Sequence, residues 1–237
     1  MTDLGEVSHY LGMEVDNDIR NKTITLCQST YLRKVLERYG MKDATPTKIP
    51  MSPGIPNSLD PNPNQASKGT IMWYQSAVGA LMWPAMHFRP DLAQSVTVLA
   101  RFCSNPSPTH VALIKQVFRY IAGTINKGLV FRGNDTPDDI EGYTDSDFAG
   151  ARMSRKSTGG YVFNLAGAAI SHSSKLQAIV ALSTCEAEYI AMCEAGKEAV
   201  WLGRLLRELG YRGSIPVLLK ADNQGAIALA KNPEFHR

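Results

Sequence analysis

At 237 residues with 44% hydrophobic side chains, the chain has room for one large or two small domains, each burying its own core. A net charge of +3 is too small to mark a nucleic-acid binder, and the four cysteines lack both CxxC and paired histidine spacing, which argues against a zinc site and a disulfide framework. The longest near-apolar run, AVGALMWPAMHF at 77–88, is too short for a bilayer and is broken by Pro84, and MTDLGEVSHY lacks the plan of a signal peptide, so neither export nor membrane anchoring is expected.

In chain order, VSHYLGMEV and KTITLCQ alternate loosely around the polar DNDIRN and predict a β-hairpin within residues 1–28. Ser29 stands where a helix cap belongs, and Leu32, Val35, Leu36 and Tyr39 follow at helical spacing until Gly40. From Asp43 to Thr70 six prolines deny donors to helix or sheet, which predicts a linker or wrapping arm. Three helical stretches come next: one around Tyr74 to Met82, one from Pro90 to Cys103, and one from Thr109 to Ala122 with Gly123 as its stop. Beyond the turn-rich GNDTPDDIE (133–141), EGYTDSDFAG, GGYVFNLAG and AAISHSSKL read as strands joined by short connections containing Gly159, Gly160 and Gly167. A long helix from Ser183 to Leu209, the apolar strand PVLLKAD and the helical QGAIALAK complete the order βββαβα. This order predicts an α/β (α+β) fold with a mixed sheet and a helix packed on it.

Three acids stand out. Asp145 and Asp147 share one strand face, where two carboxylates repel unless solvent or a cation separates them; alternation alone does not choose between them. In the long helix, at about 100° per residue, Glu188 falls on the apolar stripe of Met192, Ala195, Ala199, Leu202 and Leu206, whereas Glu186 falls on the side of Lys197, Arg204 and Glu208. A carboxylate on a packed face needs a cation, a proton, or the donors of a helix N-terminus. Asp222 ends an apolar strand just before a helix; as an isolated residue it reads as an N-cap, and together with Asp145 and Glu188 it reads as part of a site for hard, oxygen-preferring cations. Arg152, Arg155 and Lys156 read as a solvated turn or as phosphate contacts. Trp73, Trp83 and Tyr74 read as core packing, and His87, His110 and His236 show no ligand geometry.

The run GYTDSDFAG, RKSTGGYVF, ISHSSKLQ, VALSTCEAEYIA and ADNQGAIALAKNPEFHR closely resembles the ribonuclease H domain of copia-type LTR retrotransposon Pol polyproteins. Upstream, DLGEVSHYLGMEV, LCQSTYLRKVLERYGM, YQSAVGALMW, RPDLAQSV and FRYIAGTINKGLVF resemble the distal reverse-transcriptase and connection region, so the resemblance covers essentially the whole chain. It implies a ribonuclease-H-like fold that cuts RNA paired to DNA using Mg²⁺ or Mn²⁺. Carried over by position, Asp145, Glu188 and Asp222 are the catalytic acids and metal ligands, and the resemblance is what selects Asp145 over Asp147. Gln224 resembles a position that contacts the hybrid's minor groove, where a 2′-hydroxyl tells RNA from DNA; with Arg155 and Lys156 it makes up the expected nucleic-acid contacts. The implied domains are 1–42 (distal palm and thumb), 43–70 (proline-rich linker), 71–132 (helical connection region), 133–141 (turn-rich linker) and 142–237 (ribonuclease-H-like). The implied partners are an RNA/DNA hybrid and the remainder of the Pol polyprotein, with no membrane; oligomeric state is left open. The implied location is cytoplasmic, in a virus-like particle, or nuclear.

The sequence also departs from the family pattern. A fourth acid belongs shortly after PEFHR together with the last strand and helix, so three of four carboxylates are present and a second ion is expected to bind weakly. The polymerase YxDD motif is not among these residues, and DNA synthesis is not expected of them. His172 stands where the family usually has Trp, and Cys185 replaces a small hydroxyl residue. The competing expectations are a non-catalytic nucleic-acid-binding remnant or interaction module that keeps the fold without turnover, and a chain with no stable fold.

Overall fold

The computed structural model of the chain describes residues 5–134, 139–211 and 216–232. The middle of the turn-rich 133–141 segment, the run PEFHR and His236 within it therefore lie outside the described residues. Two units emerge, Met1–Arg132 and Gly133–Arg237.

The first unit carries more sheet than its sequence announces. Strand β1 (His9–Tyr10) meets β2 (Met13–Asp18) across Leu11 and Gly12, whose φ values of 48° and 80° supply a tight two-residue hairpin turn. VSHYLGMEV therefore folds back on itself instead of forming one strand. β2 pairs antiparallel with β3 (Thr23–Cys27), and β3 also pairs antiparallel with a strand the periodicity did not reveal, β4 (Leu129–Arg132). The predicted hairpin is thus part of a four-stranded sheet in the order β1-β2-β3-β4. A side chain at Gly128 would run into the Leu26 carbonyl, so glycine is what lets the returning chain reach β3.

Helix α1 (Ser29–Arg38) is capped differently from expectation. Gln28 is its N-cap residue, and Ser29 is already helical, its hydroxyl donating 2.7 Å to Glu14 Oε2. Within the proline-rich segment a single turn, α2 (Ile55–Ser58), follows Gly54 at φ 81°. Arg119 Nε donates to Thr45 O (2.6 Å), Asn62 Nδ2 to Pro106 O (2.9 Å) and Ala66 N–H to Asn105 Oδ1 (2.8 Å), so the segment is fastened along the helices by polar bonds.

The helical layer consists of α3 (Lys68–His87), α4 (Pro90–Ala100) and α5 (Pro108–Gly123). α3 starts earlier than expected and continues through Pro84. That proline removes the bond to the Ala80 carbonyl, and the Tyr31 hydroxyl donates to the freed oxygen at 3.0 Å. α4 stops at Ala100, short of Cys103. His110 has a structural role: its Nδ1 accepts from the Ser107 N–H while Ser107 Oγ accepts from the His110 N–H, a reciprocal cap on α5. Leu32, Tyr74, Leu81, Leu99, Ile114 and Phe118 form the fully buried centre of this unit. Tyr74 and the half-buried Trp73 pack as expected, but Trp83 is exposed and lies against His87. Among the described residues no helix is long and apolar enough to cross a membrane.

The second unit contains β5 (Glu141–Asp147), β6 (Thr158–Leu165), β7 (Ala168–Leu176), α6 (Thr184–Glu208), β8 (Leu218–Lys220) and α7 (Gln224–Lys231). Its sheet has the order β7-β6-β5-β8, antiparallel except for the parallel pair β5 and β8. The whole is a mixed α+β architecture. β6 and β7 are joined by Ala166 and Gly167, both at positive φ, whereas the connection from β5 to β6, residues 148–157, is longer than expected. Phe163, Ala195, Leu202 and Ile140 form the buried centre under α6. A side chain at Gly142 would collide with the Phe163 ring, and one at Gly159 would crowd Ala191, so small residues bring sheet and helix together.

Candidate metal centre

β5 and β8 run parallel with Tyr143 opposite Lys220, the last residue of β8. Beyond that pair β8 no longer accompanies β5, and the carboxyl ends of paired parallel strands are where ligands of such sheets gather. Asp145, still within β5, stands two residues past Tyr143, and Asp222 stands two past Lys220 beyond the end of β8, so the two acids fall at the same level. Gly142 and Thr144 are buried while Tyr143 and Asp145 are exposed, the alternation a half-covered strand requires.

Glu188 joins these two acids from α6. On its stripe Ala195 and Leu202 are buried and Met192, Ala199 and Leu206 half-buried, the packed side that helical periodicity predicted, and Glu188 is only 6% exposed. Its Oε1 accepts the Ser146 N–H at 3.1 Å, while its Oε2 is buried without a hydrogen-bond partner among the described residues. Asp145, Glu188 and Asp222 each offer one carboxylate oxygen, and these lie within 4.8 Å of one another. Burial, followed by the negative charge of Asp145, pushes the Glu188 carboxyl up to about 7; the Ser146 bond opposes this and the Asp222 charge adds to it.

Such a site fits a divalent cation. Every donor is a hard oxygen, three carboxyl groups crowd together, and one buried oxygen has no hydrogen-bond partner among the described residues, which together suit Mg²⁺ or Mn²⁺. The N-cap reading of Asp222 does not hold: Asn223 caps α7, its Oδ1 accepting from the Ala226 N–H at 2.9 Å. Glu186 is also placed differently from expectation, since its Oε2 accepts the Leu182 N–H at 2.7 Å beside the Ser183 cap of α6. Asp147, on the same strand face as Asp145, is not in the cluster.

Of the three expected nucleic-acid contacts, Gln224 is exposed at the first residue of α7, and Arg155 is exposed in the 148–157 connection at φ 54°. The Lys156 ammonium donates to Ala178 O at 2.7 Å, tying that connection to the chain after β7. Cys185 faces Gly225, where any side chain would crowd its sulfur, so α6 and α7 approach each other closely at their N-termini. Two residues escaped sequence reasoning. Ser146 supplies the N–H that holds Glu188, and the buried Gln177 donates from Nε2 to Ser146 Oγ (3.3 Å) and Ala187 O (2.8 Å). Neither charge nor periodicity marks them.

Fold and site together define an α+β protein that gathers three acids at the open end of a parallel strand pair. The whole chain aligns at 43% identity, over 239 residues, with the retrovirus-related Pol polyprotein from transposon TNT 1-94 of Nicotiana tabacum. Over 235 residues, 98% of the chain, it is 34% identical to the retrovirus-related Pol polyprotein from transposon RE1 of Arabidopsis thaliana. A stretch of 129 residues, 54% of the chain, is 50% identical to the protein named Secreted RxLR effector protein 161 of Plasmopara viticola, of which it covers 90%. No family model and no solved structure matches. The chain belongs to the retrovirus-related Pol polyproteins of copia-type transposons. It spans 18% and 15% of the length of the first two relatives.

Proposed function

We propose that the second unit is a ribonuclease-H-like domain that hydrolyses the RNA strand of an RNA/DNA hybrid, with Asp145, Glu188 and Asp222 holding Mg²⁺ or Mn²⁺, and that the first unit is the distal reverse-transcriptase and connection segment of the same Pol polyprotein. The observation that carries the reading is the convergence of three carboxylates, one oxygen of each lying within 4.8 Å of the others, with Glu188 Oε2 buried and without a hydrogen-bond partner among the described residues. The sheet order β7-β6-β5-β8 with only β8 parallel, and the kinship with Pol polyproteins, support it.

A divalent cation bound there would neutralise charge on the scissile phosphodiester and lower the pKa of a bound water. The chain's own groups do the rest. Asp145 presents an exposed carboxylate from β5 and Asp222 one from just past β8, and Glu188 completes the site from α6 with its Oε1 held by the Ser146 N–H. Gln224, exposed two residues beyond Asp222, offers an amide to the minor groove, where the 2′-hydroxyl of RNA is displayed. Arg155, exposed on the 148–157 connection, offers a guanidinium to phosphate, whereas Lys156 serves first to hold that connection in place.

Cleavage of a labelled RNA/DNA hybrid in Mg²⁺ or Mn²⁺, with single-stranded RNA and Asp145→Asn as controls, tests the reading. Hybrid-specific cutting that the substitution abolishes supports it. A second reading, a binding module without turnover, is favoured by one observation: a 129-residue stretch accounts for 90% of a relative that is not named as a Pol polyprotein. A folded chain that binds the hybrid and cuts nothing would decide for that alternative.

A further inference from the structure

We infer that Gln177 is a positioning residue for the carboxylate site, acting through Ser146 and α6 to aim Glu188; the inference rests on the cation-binding reading above. Gln177 follows β7 directly and is 7% exposed. One amide nitrogen reaches two elements: Nε2 donates to Ser146 Oγ on β5 and to the Ala187 carbonyl on α6, at 3.3 and 2.8 Å. Its backbone N–H is committed as well, donating 2.9 Å to Ser157 O at the start of β6.

The two side-chain bonds flank Glu188 on both sides. Ala187 is its neighbour in the helix, and Ser146 is the residue whose N–H holds Oε1. A shift of α6 against β5 would break the Gln177 bonds and the Ser146 bond together, and the Glu188 carboxylate would lose its place beside Asp145 and Asp222. The chemistry demands a neutral side chain with two N–H groups on one atom. Glutamate would add a fourth negative charge beside three, and methionine would keep the volume but donate nothing. Among the described residues the Gln177 Oε1 meets no hydrogen-bond partner, so the two donor bonds orient the amide.

Calorimetric titration with Mn²⁺ of the full chain, wild type against Gln177→Met, tests the inference apart from catalysis. The expected result is a loss of affinity of about ten-fold, the scale of residues that orient metal ligands, with the unfolding temperature changed by no more than a few degrees. Hybrid KM should stay constant, and cleavage should recover when Mn²⁺ is raised to saturation. Wild-type affinity in Gln177→Met overturns the inference while leaving the cation site intact, whereas no Mn²⁺ binding by the wild type overturns both. If Gln177→Met does not fold, Ser146→Ala takes its place, since it removes one acceptor and keeps the backbone N–H. A several-fold loss of Mn²⁺ affinity then supports the inference, and an unchanged affinity overturns it.

Discussion

Glu14 in the first unit and Glu188 in the second have the same side chain at a strand–helix junction, and they meet opposite fates. Glu14 leaves β2 toward the start of α1 and receives the Ser29 hydroxyl and the Thr30 N–H, each at 2.7 Å, with the Cys27 thiol at 3.6 Å. The Ser29 bond above all pushes its carboxyl down to about 2. Glu188 receives one N–H and has Asp145 and Asp222 as neighbours, and its carboxyl goes up to about 7. In the first unit folding satisfies the charge, and the glutamate works as a helix cap. In the second it leaves the charge unanswered, and a cation is the natural answer. Donor count, not residue type, separates the acid that folding satisfies from the one proposed to hold a cation.

The contrast breaks most visibly in catalysis. Asp145→Asn or Glu188→Gln should reduce hybrid cleavage to background, whereas Glu14→Gln should leave the rate per folded molecule unchanged; a gel assay with the folded fraction measured by circular dichroism checks both. In stability the two glutamates should respond with opposite signs. Each pKa unit is worth about 1.36 kcal/mol, so without divalent ions and well above neutral pH, Glu188→Gln should stabilise the second unit by at most about 3 kcal/mol. Glu14→Gln should destabilise the first by about 1 to 2 kcal/mol through lost capping bonds. Urea unfolding of the two variants reads both effects.

The pH dependence should be opposite too. A raised carboxyl keeps its proton in the folded state after the unfolded chain has released it, so the Glu188 contribution makes stability fall as pH rises from 4.5 to about 7. A depressed carboxyl does the reverse: the Glu14 contribution is complete above 4.5 and is lost as pH falls toward about 2. Unfolding free energies across pH should show the first slope vanish in Glu188→Gln and the second in Glu14→Gln. The smallest effect belongs to another polar group that the first unit satisfies. Tyr31→Phe leaves the Ala80 carbonyl, freed by Pro84, without its donor, and should cost about 1 kcal/mol in the same unfolding experiment.

Much of this contrast was written in the sequence at short range. Glu188 stood out because a carboxylate on the Met192, Ala195 and Leu202 stripe needs a partner, whereas Asp222 alone read as an N-cap and entered the site only together with Asp145 and Glu188. What was not legible depends on partners distant in sequence. β4 is four residues long, and its register with β3, Thr23 opposite Arg132, joins segments no local pattern connects. Pro84 read as a break because its rescue comes from the hydroxyl of Tyr31. The Leu11–Gly12 turn was hidden because leucine seldom adopts positive φ. Gln177 carries no charge and no period; only its two bonds to separate elements reveal it. The choice of Asp145 over Asp147 came from family resemblance, and the structure gathers Asp145 with the other two acids.

The most direct measurement is thermal unfolding of wild type and Glu188→Gln above neutral pH, each with and without Mn²⁺. The account predicts that saturating Mn²⁺, at a hundred times its dissociation constant, stabilises the wild type by about 2.7 kcal/mol and stabilises Glu188→Gln far less. An equal gain in both proteins, or none in either, would contradict the assignment of Asp145, Glu188 and Asp222 as a cation site.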